Sequence, residues 1–436
     1  MSDYLYTLES HLNAAQSVAL HAIQSVAAST GISVYLVGGA LRDMLAGFPI
    51  RNLSFVVEGD MAAFAKALAK NSGAEVGPED PRRQSVTAHF PHNVIVDIAW
   101  AREESFPKPG GQPVVKPASI YEDLKTRDFT MNAIGMSLNR ASRGLLIDPT
   151  NGLGDIECRE LRTVGKYTLH DDPVRILRMI RFSKRFSFQI DQRTRTQYQN
   201  VREAGLEKEI TPDALREELR RIADEPTSPE IVAELDTEGL LPLFCPELTG
   251  TKVNHAGLQR LQKARQNVPL ELNFPIENFG LFLSVLCEKL SPKEKATLKT
   301  ACDLDRSTLA AWERLDAKAK KLAEELKSPK LTKPSLIYAV AKKAEEAELI
   351  YLLYKSTERI VLDRIKNYLQ RYLAVAQEVT DQEVAAASKL KPGTAKFEKA
   401  KEVFVAKRMD ARPKKVEVPA APAVAHSPSA AVSVRR

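Results

Sequence analysis

The sequence predicts an α+β protein: an α/β head over residues 1–145, followed by an all-helical C-terminal region. Two observations predict this division. In the head, short apolar runs of strand length end on turn residues: 34–37 stops at Gly38-Gly39, 53–57 stops at Glu58-Gly59-Asp60, and 94–100 is a third such run. Beyond about Leu169 the pattern changes, and apolar residues recur at three- and four-residue spacing over 174–186, 213–223, 279–290 and 360–373. That spacing marks helices with one buried face.

The remaining elements follow in chain order. Residues 9–29 are Ala-rich with scattered Leu, Val and Ile, which predicts a leading helix. Residues 40–46 read as a short helix closed by Gly47, and Asp60 is placed to cap a helix over 61–70. The stretch PKPGGQPVVKP, 107–117, reads as a mobile Pro/Gly loop. From Arg412 onward the chain is rich in Ala, Pro, Val and Ser and is expected to be a disordered basic tail. No repeat of fixed period is present.

Composition narrows the class of protein. Hydrophobic residues at 44% and charged residues at 27% suit a soluble globular chain, and 436 residues suffice for two to four domains. No apolar run approaches the ~20 residues of a membrane span, and the N-terminal residues lack the basic and apolar stretches of a secretory signal. The four cysteines (Cys158, Cys245, Cys287 and Cys302) are widely spaced. They read as reduced, mostly buried thiols of a cytoplasmic protein, without a zinc site. The net charge is +7, but residues 381–436 hold 12 Lys and Arg against six Asp and Glu. Nearly all of the excess therefore lies at the C-terminal end, and RNA affinity elsewhere must come from local clustering.

Chemistry is suggested first by Gly38-Gly39-Ala40-Leu41-Arg42-Asp43, which follows a strand and opens a helix. Glycines let a backbone approach a phosphate closely, and Arg42 adds a fixed cation. Taken alone, this reads first as a plain strand-to-helix turn. Its continuation changes that reading. YLVGGALRDMLAGFPIRNLSFVVEGD resembles the opening motif of tRNA nucleotidyltransferases (CCA-adding enzymes) and bacterial poly(A) polymerases. YEDLKTRDFTMNAIG, LIDPTNGLGDIECRELRTVG and HDDPVRILRMIRFSKRFSF resemble three further motifs of that family, in the family's order.

The resemblance implies a polymerase-beta-like nucleotidyltransferase head at 1–145, a neck that selects nucleotide and binds RNA at 146–240, a helical body at 241–375 and a tail at 376–411. It implies ATP or CTP as substrate, magnesium as cofactor, and an RNA 3′ end, most naturally the tRNA acceptor end, as partner. Triphosphate contacts fall on Gly38, Gly39 and Arg42, and the RRDFT-like motif supplies Arg127, Asp128 and Asn132; its first arginine is Thr126 here. Nucleobase selection falls on Asp172 and Arg175, with Arg178 and Arg181 further along the same helix. A carboxylate and a guanidinium present fixed hydrogen-bonding edges and can stand in for a template base. Outside this motif context the three arginines would read as a solvated stripe.

One departure bears on chemistry. The family carries D-x-D on its second strand, where residues i and i+2 share a face and grip two magnesium ions. This chain has Asn52-Leu53-Ser54. Two negative ligands are replaced by a neutral amide and a neutral hydroxyl, which magnesium binds poorly. Glu58 shares the parity of Ser54 but lies about 13 Å along the strand. Asp97, matching the family's third acidic residue, is retained. Three readings follow: a nucleotide- and RNA-binding member with impaired catalysis, a fully active RNA nucleotidyltransferase, or an interaction scaffold paired with an active relative. The missing pair of charges favours the first over the second, and the retained nucleotide-selecting residues favour it over the third. His89, His92, Trp100 and Tyr35 read as surface or packing residues.

Overall fold

The strands predicted in the head form where the apolar runs lie. β1 (Ser33–Val37), β2 (Leu53–Glu58), β3 (Glu75–Val76), β4 (Ser85–Phe90) and β5 (Val94–Trp100) join two later strands in one sheet. A hairpin of β6 (Arg102–Ser105) and β7 (Val114–Pro117) stands apart, and β8 (Gly135–Ser137) and β9 (Leu146–Ile147) complete the seven-stranded sheet in the order β3-β4-β5-β2-β1-β8-β9. β2 and β5 run parallel; every other neighbouring pair in the sheet is antiparallel. The computed structural model describes residues 4–80, 84–269 and 278–411, so the disordered tail expected at 412–436 lies outside the described residues.

The leading helix is two helices. α1 (Tyr4–His11) stops before Asn13, and α2 (Ala14–Thr30) starts there, because Asn13 and Gln16 cap each other's backbone N–H at 2.8 and 3.1 Å. α3 (Gly39–Leu45) follows the glycine turn, and α4 (Met61–Ser72) starts at Asp60, whose carboxylate accepts the Ala63 N–H at 2.9 Å as expected. α2 and α4 pack together beside the sheet, with Phe55 and Phe64 fully buried. The predicted loop at 107–117 is only partly a loop. Its last four residues form β7, since 114–117 pair with 102–105. Pro and Gly masked a β-branched pair, Val114-Val115, that belongs to the hairpin.

Past the sheet come α5 (Ile120–Lys125), α6 (Gly152–Cys158), α7 (Thr168–Asp171) and α8 (Arg175–Phe186). A two-stranded parallel ladder, β10 (Glu160–Leu161) with β11 (Gln189–Ile190), ties the two ends of this segment together. α9 (Gln192–Glu203), α10 (Pro212–Ala223) and α11 (Ser228–Thr237) continue the helical region, with helices at Asn278–Leu286 and Pro292–Ala301 beyond. The helix expected over 279–290 ends at Leu286; its last residues form a turn.

The chain divides into two units, Met1–Gln262 with Asn278–Glu313, and Lys263–Glu277 with Arg314–Arg436. In the second unit the helix expected over 360–373 is Arg359–Asn367 followed by a π-helical turn, Tyr368–Tyr372, and a further helix Leu373–Glu378. Helices Asp381–Ser388 and Ala395–Asp410 bury Val384, Phe397, Val405 and Met409 together with Val379, against Tyr338, Tyr372 and Val375 of earlier helices. Among the described residues no helix is long and apolar enough to cross a membrane.

The motif around Gly152 shows why its glycine matters: a Cβ there would lie 2.1 Å from the Thr130 carbonyl oxygen. Backbone cannot yield as a flexible side chain can, so we expect Gly152→Ala to cost about 1–3 kcal/mol, read as a lowered thermal midpoint. An unchanged midpoint would show that α6 shifts freely against the turn at 130–132.

Candidate active site

A cleft of about 670 Å³ opens in the first unit, and the sequence-predicted residues Gly38, Gly39, Arg42, Asn52, Ser54, Asp97, Arg127, Asp128, Asn132, Arg175, Arg178 and Arg181 all line it. Asp172 does not. It lines an adjoining cavity of about 580 Å³ and is tied to the cleft by its ion pair with Arg175, 3.2 Å away.

At the floor, Gly38 adopts φ +68°, and a Cβ on it would meet Arg127 Nη1 at 3.1 Å. Glycine thus satisfies both the left-handed backbone and the close approach. One turn on, Arg42 is buried, and its guanidinium is already engaged: Nε and Nη2 donate to Asp43 Oδ1 at 2.9 and 2.7 Å, and Nη1 donates to Asn132 Oδ1 at 2.7 Å. The rings of Phe182 and Phe186 lie 5.0 and 4.9 Å from its Cζ. Arg42 therefore fastens α3 to α8 as well as lining the cleft.

The solvated-stripe reading of α8 fails. Arg175 and Arg181 are buried, and each arginine meets acids from other elements. Arg178 pairs with Asp128 at 3.3 Å and Glu218 at 3.6 Å; Arg181 pairs with Glu218 at 2.5 Å and Glu225 at 3.4 Å. Arg185, one turn beyond Arg181, joins Asp43 at 2.9 Å to Glu225 at 3.5 Å, and Arg51 reaches Glu225 at 3.0 Å. The sequence assigns no role to Asp43, Arg51, Arg185, Glu218 or Glu225. Asp43, Arg51 and Arg185 lie inside the family-like motifs, but Glu218 and Glu225 have no local signal and enter only when α10 folds against α8.

These pairings set the charge states. Burial would raise the Asp128 carboxyl, but Arg178 and Arg175, with hydrogen bonds from Asn132 and the Phe129 N–H, outweigh it and hold it at about 2. Burial likewise opposes ionisation of Glu218, and Arg181 and Arg178 overcome it, lowering its pKa. Burial pulls the Arg185 guanidinium down to about 10, leaving it charged at neutral pH.

The strand edge is different. Asn52 is exposed just ahead of β2, and Ser54 sits on β2 in register with Asp97 on β5. Thr87 Oγ1 donates to Asp97 at 3.1 Å, and no basic group lies within 4 Å of it among the described residues. Glu58 cannot stand in: its carboxylate accepts the Tyr35 hydroxyl at 3.0 Å and the Ile120 N–H. One carboxylate, one amide and one hydroxyl do not fit a pair of magnesium ions, which take mainly anionic oxygen ligands. Among the described residues no three His, Cys, Asp or Glu side chains converge to hold a metal.

Two expectations follow from the ion network. Glu225→Gln leaves Arg51, Arg181 and Arg185 short of a buried counter-charge and should cost about 3–5 kcal/mol of stability; a loss below about 1 kcal/mol by denaturant titration would show that water or another acid replaces it. Asp128, with a folded pKa depressed to about 2, contributes stability that is present above its unfolded pKa and is lost as pH falls through the folded one. Between about pH 5 and about pH 1 the wild type should therefore lose roughly 2–3 kcal/mol that an Asp128→Asn variant does not. Parallel acid profiles would remove Asp128 as the cause.

Comparisons agree with this geometry. Residues 34–162 match the Poly A polymerase head domain. The chain is 31% identical over 350 residues to the A-adding tRNA nucleotidyltransferase of Aquifex aeolicus, covering 78% of this chain and 40% of that protein. It is 32% identical over 257 residues to the A-adding tRNA nucleotidyltransferase of Halalkalibacterium halodurans, covering 58% and 59% respectively. The chain thus spans about half the length of these two relatives. A solved CCA-adding enzyme in complex with ATP shares the fold at a TM-score of 0.57 and 22% identity, covering 94% of this chain and 95% of that one. Residues 34–162 therefore form a head domain of the Poly A polymerase type, and around and beyond it the chain is similar to A-adding tRNA nucleotidyltransferases.

Proposed function

We propose that this protein binds ATP or CTP in the head cleft next to an RNA 3′ end, the acceptor end of tRNA in the first instance, and that its nucleotidyl transfer is impaired. The observation that carries the proposal is the contrast within one cleft. The arginine-rich wall from α8 is intact and braced, whereas the strand edge opposite Asp97 presents Asn52 and Ser54. Gly38, Gly39 and Arg127 take the triphosphate, and Arg175, oriented by Asp172, reads the base edge with Arg178 behind it. Arg42 and Arg181 brace the pocket more than they reach into it. The residue partition of head 1–145, neck 146–240, body 241–375 and tail 376–411 goes with this reading, as does a cytoplasmic setting, which suits four free thiols.

Phosphoryl transfer to a 3′-hydroxyl needs that hydroxyl deprotonated and the triphosphate's developing charge neutralised. Asp97 can accept a hydrogen bond from the hydroxyl. Asn52 and Ser54 cannot supply the anionic ligands that would fix magnesium beside it.

The test is nucleotide addition to tRNA lacking its 3′ end, with magnesium, CTP and ATP. The rate should fall about 10³-fold or more below that of an active relative. Asn52→Asp combined with Ser54→Asp should restore addition. Wild-type incorporation at a relative's rate would overturn the impairment; an inert double variant would show that the loss extends beyond the strand edge.

A further inference from the structure

We propose that the cleft holds the polyphosphate of its nucleotide directly, without a divalent cation, an inference that rests on the nucleotide-binding reading above. In a site with two aspartates at the strand edge, those carboxylates and the triphosphate repel each other until a metal bridges them. Here the two positions are uncharged and can each donate a hydrogen bond, Asn52 through its amide N–H and Ser54 through its hydroxyl. A wall that would reject a bare polyphosphate becomes one that can bond to it.

The charge count points the same way. Nine arginines and seven carboxylates line the cleft, an excess of two positive charges with no metal present. Aspartates at positions 52 and 54 would reduce that excess to zero. Most of the seven carboxylates are already neutralised by arginine: Asp43, Glu104, Asp123, Asp128 and Glu225 have guanidinium partners within 3.3 Å. Among the described residues Asp97 has none within 4 Å.

Donors remain available on the cationic side. Arg127 engages Asp123 through Nε and Nη2, leaving Nη1 beside Gly38. Arg51, adjoining Asn52, is partly exposed and gives only Nη1 to Glu225. Arg221 lines both cavities and has no carboxylate within 4 Å among the described residues. Arg127, Arg51, Asn52 and Ser54 therefore surround a space in which phosphate oxygens find donors on several sides.

The experiment is calorimetric titration of the full chain with ATP and with CTP, once in EDTA and once in magnesium. Wild type should bind with dissociation constants that agree within about threefold in the two buffers, and inorganic tripolyphosphate should compete in EDTA. The Asn52→Asp, Ser54→Asp variant, checked for folding by its thermal midpoint, should bind about tenfold or more weakly in EDTA and recover in magnesium. Wild-type binding in magnesium alone would overturn the cation-free mode yet leave the nucleotide-binding reading standing. Absence of binding in both buffers would overturn both. Failure of tripolyphosphate to compete would place the affinity in base and sugar and overturn the phosphate assignment.

Discussion

The structure of the cleft depends on one constraint: a charge removed from water must meet an opposite charge. From the glycine turn to the end of α10, buried carboxylates and guanidinia alternate through Asp43, Arg185, Glu225, Arg181, Glu218 and Arg178 to Asp128. No member can move far without stranding a neighbour. The chain of pairs therefore fixes α3, the turn at 130–132, α8 and α10 against one another, and with them the shape of the pocket. Phe182 and Phe186, with ring centroids 6.0 Å apart, close the same joint from the apolar side, each packing against the Arg42 guanidinium.

This arrangement divides labour among residues that a motif presents as equals. Arg42 and Arg181 spend most of their donors on the frame, whereas Arg127, Arg175 and Arg178 keep part of theirs toward the cavity. Asp172 acts at one remove, holding Arg175 from the adjoining cavity. A pocket built in this way is preorganised for an anion, because its cations are already dehydrated and oriented before a ligand arrives.

At the strand edge the geometry persists although the chemistry has changed. β2 and β5 run parallel with Ser54 level with Asp97, so the two positions that would grip metal still face the cleft. What is missing is charge, and Glu58 is too engaged with Tyr35 and Ile120 to replace it. The frame is held by the ion pairs that α8 makes with Asp128, Glu218 and Glu225, so the uncharged strand edge faces a wall braced independently of it.

Sequence alone determined the features with short-range causes. The strands ending at Gly38-Gly39 and Glu58-Gly59, the Asp60 cap, and the shared face of positions 52 and 54 all follow from periods of two or from a cap within one turn. Periodicity also placed Arg175, Arg178 and Arg181 on one side of a helix, but it could not say whether water or acid faced them. Only the tertiary structure decided that. Arg185 meets Asp43 across 142 residues, and Glu225 closes the network from a turn with no motif of its own. The β6–β7 hairpin and the π-helical turn were likewise hidden, since Pro, Gly and an unbroken helical pattern each look the same locally whatever the chain later packs against. Local pattern fixes which way a side chain points; the partner that makes its burial tolerable arrives only through long-range packing.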